Sequence, residues 1–364
     1  MSRPIEVVLL YGGKSGEHEI SLRSAASVLQ NLDCSRYTVT PVGIDKAGQW
    51  YLNDAVELRT FGESLPVVTP NSKRVEALFN NGQWAIPADV VFPVVHGPLY
   101  EDGCLQGLLS LANIAYVGSD VLSSAVGMDK DFSRRLACVD GVHAVRYRSL
   151  SARASAHAVE LFCATTIELL GWPLFVKPCS MGSSVGIHKV NDLDALRDAI
   201  ADAGRYDTTV LVEECIHGRE IEVAILEEAT MMNDPCASVP GEVVIHHPDG
   251  FYSYNAKYIE SNQSEIVIPA ELTPALTLQV QQAAVEIFKR LKCKGLARVD
   301  FFVQNKTNKV YFNEINTLPG FTSISMYPQL WAASGVVYAD LLDRLIDLAI
   351  LHQSERQTRV THYQ

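Results

Sequence analysis

KGLARVDFFVQNKTNKVYFNEINTLPG, residues 294–320, decides how the rest of the chain is read. Two apolar runs flank the polar turn 304–309, the pattern of a β-hairpin. Centred near Thr307, the hairpin sets Asp300 opposite Glu314 and Arg298 opposite Asn316. Side chains two apart on a strand share a face, so all four polar groups are expected on one side. Two carboxylates and an amide oxygen make a hard-oxygen donor set that suits Mg²⁺. A divalent cation also relieves the repulsion of carboxylates facing each other across a ladder. Val299, Phe301, Val303, Phe312 and Ile315 form an apolar side, so the hairpin is expected to lie on a core.

The chain has 364 residues, and at roughly 100–200 residues per domain it should form two or three domains. Hydrophobic residues make up 48% and charged residues 20%, enough for a sizeable core. A net charge of −12 argues against nucleic acid and anionic membrane surfaces as partners. Any phosphate bound here needs local basic groups, amides or metal. No apolar run reaches the roughly 18 residues of a membrane span, and the N-terminus does not read as a signal peptide. The eight cysteines show no CxxC spacing, which fits reduced thiols in the cytoplasm rather than a zinc site or disulfide framework.

Residues 6–10 are a continuous apolar run, a buried parallel strand, and GGKSGEHEIS (12–21) follows as a glycine turn entering a helix to about Leu32. The turn fails the Walker A spacing, with Val8 where the first glycine belongs, and it is not GxGxxG. Residues 37–50 hold another strand, and 51–86 read as irregular surface insertions. A strand at 88–95 runs into HGPLYEDG (96–103), then a helix at 105–112. In open α/β sheets functional groups gather at strand carboxyl ends, where Glu17 and His96 would lie. A carboxylate in a first helical turn also complements the helix dipole with no further role.

Lys177 ends an apolar strand. The loop 179–186 then presents small residues, hydroxyls and backbone N–H groups, the chemistry of a phosphate-covering flap, although a plain hairpin turn has the same composition. Strands follow at 208–215, ending in Glu213 and Glu214, and at 218–225. The aromatic, polar stretch 245–270 reads as a lid or a disordered loop. Thr273-Pro274 caps a helix to about Leu291, and an amphipathic helix at 338–351 ends the chain.

These parts occur in an order that resembles the ATP-grasp fold. GGKSGEHEIS, HGPLYEDG, GSDVLSSAVGMDK, FVKPCSMGSSVG, YNAKYI, LARVDFF and NEINTLPGFTSISMYP together resemble the D-alanine–D-alanine ligase family in its longer subtype, over residues 5–350. The resemblance implies an α/β, three-domain ATP-grasp fold with an N-terminal open parallel-sheet domain. Its domains would be 1–122, 123–215 with the flap, and 216–364 with the lid and metal-binding hairpin. It implies ATP-dependent joining of two D-alanine molecules through an acyl phosphate, with two Mg²⁺ or Mn²⁺ on Asp300, Glu314 and Asn316. Lys130, Lys177 and Lys257 would meet phosphates under the flap backbone of Gly182, Ser183, Ser184 and Val185. Glu213 would accept the adenine amino group, the Glu214 and Ile216 backbones would bind the adenine ring, and Glu220 the ribose. Glu17 and His96 would hold the first D-alanine, with Glu17, Ser183 and Tyr258 forming a hydrogen-bonded network. Arg298 and the Gly320 N–H would stabilise the oxyanion, and Ser325 with the Met326 backbone would grip the second carboxylate. The family also implies a cytoplasmic homodimer.

One position departs from the family pattern. Tyr100 stands where the family usually has glycine, and a positive φ would cost tyrosine more. Three alternatives stay on the table: a D-alanine–D-lactate or D-serine ligase of the same superfamily, a catalytically dead nucleotide sensor, and a carboxylase-type relative. Tyr258 in the lid favours the dipeptide, with His246 and His247 close by as the residues to check.

Overall fold

A computed structural model describes residues 3–81, 83–137, 139–229, 234–246 and 264–360. The first sheet has six strands. Its parallel centre is Tyr37–Ile44, Ile5–Gly12, Val90–Pro93 and Ala115–Tyr116, with two antiparallel edge strands beyond Tyr37–Ile44. Both faces are covered, as a parallel sheet requires. Val7, Leu9 and Tyr11 pack with Ala25, Val28 and Leu29 of the helix His18–Asn31. Val8 and Leu10 pack on the other side with Leu105 and Leu109 of the helix Cys104–Leu111.

Residues 51–86 are not a loose insertion. Leu58, Leu65 and Ile86 are buried, and the Tyr11 hydroxyl donates to the Pro66 carbonyl at 2.8 Å. Short elements here close one edge of the sheet, which a pattern search for long periodic segments passes over.

A four-stranded antiparallel sheet follows, in the order Tyr147–Ser151, Thr209–Glu214, Leu174–Pro178, His188–Val190. The helices Ala156–Leu170 and Leu193–Ala203 pack beneath it, each started by a side-chain cap, Ser155 and Asp192. The third sheet centres on Gly218–Leu226, Leu296–Gln304 and Val310–Asn316, all antiparallel, and Val142–Ala144 joins its edge. Thr273 caps the helix Pro274–Arg290, with Pro274 at its first position, and this helix covers the apolar face. The last helix is longer than its apolar pattern, Tyr338–Gln357, and packs against the first sheet.

The opposite face of the third sheet changes character along its strands. Ala224, Leu226 and Leu296 pack with the helix Met326–Ala333, whose Tyr327 hydroxyl donates to the Ile225 carbonyl at 3.0 Å. Further along, Glu220, Glu222, Arg298 and Asp300 face the four-stranded sheet across a gap. The hairpin register is as expected at Arg298–Asn316 and Asp300–Glu314, then slips by one so that Phe301 faces Phe312. That β-bulge explains how Phe312 and Ile315, three apart, both reach the core.

Candidate functional site

A cavity of about 420 Å³ lies between the second and third sheets. Its nucleotide-sized space brings together Lys130, Lys177, Gly182, Ser183 and Ser184 on one side and Glu213, Glu214, Ile216 and Glu220 on the next. Arg298, Asp300 and Glu314 close the third side. Strand alternation sets the last group: Arg298 and Asp300 are two apart, and Glu314 and Asn316 oppose them.

Lys130, Lys177 and Arg298 are each held by an acid. Arg298 donates to both Asp300 oxygens, at 2.8 and 2.7 Å, and its Nε lies 2.7 Å from Glu222 Oε2. Burial disfavours the guanidinium charge, but Asp300 and Glu222 outweigh it and push the group further up. Lys130 Nζ lies 3.1 Å from Glu314 Oε2 and donates to the Met181 carbonyl of the flap at 2.8 Å. Glu213 is buried between Lys177 Nζ at 2.5 Å and Arg134 Nη1 at 2.6 Å. Burial alone would raise the Glu213 pKa; Arg134 and Lys177 reverse this and hold it below the ordinary carboxylate value. Lys177 is pushed down by burial despite Glu213, with Arg134 and Lys130 adding to the effect. Glu214 turns outward, where Arg146 Nε and Nη2 reach its Oε2 at 2.8 and 2.6 Å.

The flap is a tight turn, with Val185 N donating to the Gly182 carbonyl at 3.2 Å and left-handed backbone at Ser183 (φ 52°) and Ser184 (φ 57°). It leans on Glu17. A Cβ on Gly182 would fall 3.5 Å from Glu17 Oε2, and one on Gly97 3.8 Å from the same oxygen. His96 is 3% exposed, and its Nε2 has no hydrogen-bond partner among the described residues, an orphan that an incoming polar group can satisfy. Burial lowers the His96 pKa, with Glu17 opposing, so the ring is neutral near pH 7. On the facing loop Ser325 Oγ contacts Thr322 Oγ1 at 2.7 Å, and a Cβ on Gly320 would lie 3.0 Å from it. Met326 begins the helix behind.

Lys257, Tyr258 and His247 lie outside the described residues. Among the described residues no three His, Cys, Asp or Glu side chains form a ready metal cluster. Asp300, Glu314 and the Asn316 amide still suit a hard cation, because Mg²⁺ takes few protein oxygens and fills its shell with water and phosphate. The Asn316 oxygen is already oriented by the Leu318 N–H at 2.9 Å.

Three groups had escaped the sequence reading: Glu222, Arg134 and Glu101. Glu222 follows Glu220 by two on one strand, so its face was legible. Arg134 sits four after Lys130 on one helix. Glu101 accepts from Gly97 N at 2.6 Å, and burial, reinforced by Glu17, raises its pKa well above the ordinary value. The positive φ expected at Tyr100 falls instead on Leu99 (φ 74°). Tyr100 is buried without that strain, and its hydroxyl accepts from Lys14 N at 3.0 Å.

The family model described as D-ala D-ala ligase N-terminus matches residues 6–119, and the one described as D-ala D-ala ligase C-terminus matches 136–347. A D-alanine–D-alanine ligase of Legionella pneumophila (strain Corby) is 59% identical over 363 residues, covering 100% of both chains. Among solved structures, the D-alanine–D-alanine ligase from Coxiella burnetii has a TM-score of 0.82 at 38% identity, covering 98% of this chain and 97% of that one. The VanG D-Ala:D-Ser ligase from Enterococcus faecalis has a TM-score of 0.78 at 34% identity, covering 95% and 100%. Those matches run through the strand, turn and hairpin positions from which the cavity is built, and the chain belongs to the D-alanine–D-alanine ligase family.

Proposed function

We propose that the protein joins two molecules of D-alanine to D-alanyl-D-alanine, converting ATP to ADP and phosphate, as a step in building peptidoglycan precursors. The observation that carries this is the cavity together with the Glu17 turn that lies against its flap. Phosphate chemistry is provided for by Lys130, Lys177, Arg298 and the flap, and Glu17 with the orphaned His96 Nε2 lies at the far edge of that flap.

A carboxylate oxygen of the first D-alanine attacks the γ-phosphorus, the bond to the β-phosphate oxygen breaks, and ADP leaves an acyl phosphate. The amine of the second D-alanine then attacks the acyl carbon, loses a proton, and expels phosphate from the tetrahedral intermediate. Glu17 pairs with the first ammonium, beside neutral His96. Lys130 and Lys177 meet the phosphates under Gly182, Ser183, Ser184 and Val185. Glu213 takes the adenine amino group, the Glu214 and Ile216 backbones the adenine ring, and Glu220 the ribose. Arg298 and the Gly320 N–H face the charge that develops in both steps. Ser325 and the Met326 backbone receive the second carboxylate. Asp300, Glu314 and Asn316 would hold one or two Mg²⁺ or Mn²⁺, which neutralise charge between the phosphates. Tyr258 and Lys257 complete the lid in this reading.

We divide the chain at 122 and 215, because each interval carries one large sheet, the first with a two-stranded pair at Phe79–Asn80 and Gln83–Trp84 beside it, and among the described strands only Val142–Ala144 crosses into the next. A cytoplasmic homodimer belongs to the same proposal and rests on the family pattern. No helix among the described residues is long and apolar enough to cross a membrane.

The test is ADP release with and without D-alanine, followed by product analysis with D-alanine, D-serine and D-lactate together at pH 6 and pH 8. D-alanine should raise ATP turnover, and D-alanyl-D-alanine should predominate. Turnover indifferent to D-alanine, or depsipeptide dominating at both pH values, would sink the assignment.

A further inference from the structure

The short helix Lys130–Leu136 places two cations on one face, Lys130 and, four residues later, Arg134. The reaction above uses Lys130 and leaves Arg134 without a role, although its side chain is 0% exposed. Three of its N–H groups point in two directions. Nη1 meets Glu213 Oε2 at 2.6 Å, while Nε donates to the Asn313 carbonyl at 2.9 Å and Nη2 to Asn313 Oδ1 at 3.1 Å. The guanidinium also lies over the Tyr147 ring, 5.4 Å from its centroid.

Asn313 is the extra residue of the hairpin bulge: Phe312 faces Phe301 and Glu314 faces Asp300, leaving Asn313 with no opposite number. A bulged residue drops out of the ladder, and its carbonyl then needs another donor. Arg134 Nε is that donor. The bulge in turn sets the direction of Glu314, the next residue. The other end of the same guanidinium fixes Glu213, the acid at the base end of the cavity.

We propose that Arg134 is a positioning residue that ties the base-binding acid Glu213 to the bulge ahead of Glu314, so that the adenine and metal-phosphate ends of the site keep one spacing. This rests on the ATP reading of the cavity. An arginine suits the task because its planar fork serves Asn313 twice while a further N–H serves the acid; a lysine ammonium can keep the ion pair but cannot reproduce the two-point hold on Asn313.

The experiment compares the full-length wild type with Arg134→Lys and Arg134→Met. Calorimetry measures the Kd for metal-free ADP, and steady-state ADP release gives the Mg²⁺ concentration for half-maximal activity at saturating ATP and D-alanine. Arg134→Met should weaken both by at least about fivefold, on the scale of one charge-assisted hydrogen bond. Arg134→Lys should bind ADP within about threefold of wild type yet still need at least about fivefold more Mg²⁺. That split is what a merely structural arginine would not produce. Two results overturn the proposal: a folded methionine variant that matches wild type in both measurements, or a lysine variant that does. If the methionine variant fails to fold, the lysine variant decides alone. A wild type that binds no ADP would overturn the reading of the cavity instead.

Discussion

Tyr100→Phe removes one oxygen beside the turn proposed to receive the first D-alanine. Its hydroxyl accepts from Lys14 N at 3.0 Å, and its ring lies so close to Gly13 that a Cβ there would sit 2.9 Å from Cε2. Gly13 and Lys14 belong to the turn that leads into Glu17, so the tyrosine holds that turn from the neighbouring loop. Lys14 is exposed, and water can replace the lost acceptor, which keeps the cost near the net value of one hydrogen bond, about 1 kcal/mol. If the turn must be ordered for the first D-alanine to bind, that energy appears as about a fivefold rise in its KM. Tyr100→Gly goes further, because deleting a buried aromatic side chain costs roughly 3–5 kcal/mol of stability. Its KM for the first D-alanine should still change by less than about tenfold, since Glu17 itself remains. The assay is ADP release at saturating ATP with D-alanine varied, and the KM for ATP serves as the internal control. A phenylalanine variant with an unchanged D-alanine KM, or one in which the KM for ATP moves equally, would refute the reasoning. Complete loss of activity in the glycine variant would show instead that the whole turn depends on the ring.

Arg298→Ala should lower kcat by about 10²–10³, the usual cost of losing an oxyanion donor, while the KM for ATP moves far less. It also leaves Asp300 and Glu222 facing each other without their cation, so urea denaturation should show a stability loss of roughly 3 kcal/mol. A change confined to the KM for ATP would return Arg298 to a structural role. Burial lowers the pKa of His96 below 6.5, so its contribution to stability is full above that pH and is lost as pH falls through the lowered value; His96→Gln should flatten the urea midpoint between pH 7 and 5. Glu101 has the opposite sign: its pKa is raised well above 4.5, so stability falls as pH rises from that value, and Glu101→Gln should gain most at pH 7. Unchanged midpoint slopes in either variant would contradict the assignment of those shifts.

The hairpin was legible because its chemistry follows from a period of two and a polar turn, both local. Asp300 opposite Glu314 needed nothing else. The bulge was not legible, because Asn313 differs from an ordinary strand residue only through Arg134, which lies 179 residues away in sequence. Tyr100 shows the same limit. Its departure from the family pattern was visible, but its partner at Lys14 was not, and the guess of a strained φ misplaced by one residue what Leu99 absorbs. Residues 51–86 were misread for a different reason. Their elements are two to four residues long, too short for periodicity, and only the tertiary burial of Leu58 and Leu65 reveals them as part of the core. Glu222 alone could have been found from alternation, since Ile221 and Val223 on either side are buried.

The charge balance of the site makes a last demand. Lys130, Lys177, Arg134 and Arg298 face Glu213, Glu222, Asp300 and Glu314, four cations against four carboxylates, and each cation is already in an ion pair. The chain as a whole carries −12. A triphosphate meeting these four cations finds each already compensated, so the γ-phosphate gains little from them without metal. Divalent cations arriving with the nucleotide would supply the missing charge, on the oxygens that Arg298 and Lys130 now hold. Metal-free ATP should therefore bind no more than about threefold tighter than metal-free ADP, and Mg²⁺ should widen that ratio by at least about tenfold. Calorimetry without D-alanine measures all four affinities. Metal-free ATP binding much tighter than ADP would mean that the lysines release their acids for the phosphate unaided, and that the acidic face serves the fold more than the reaction.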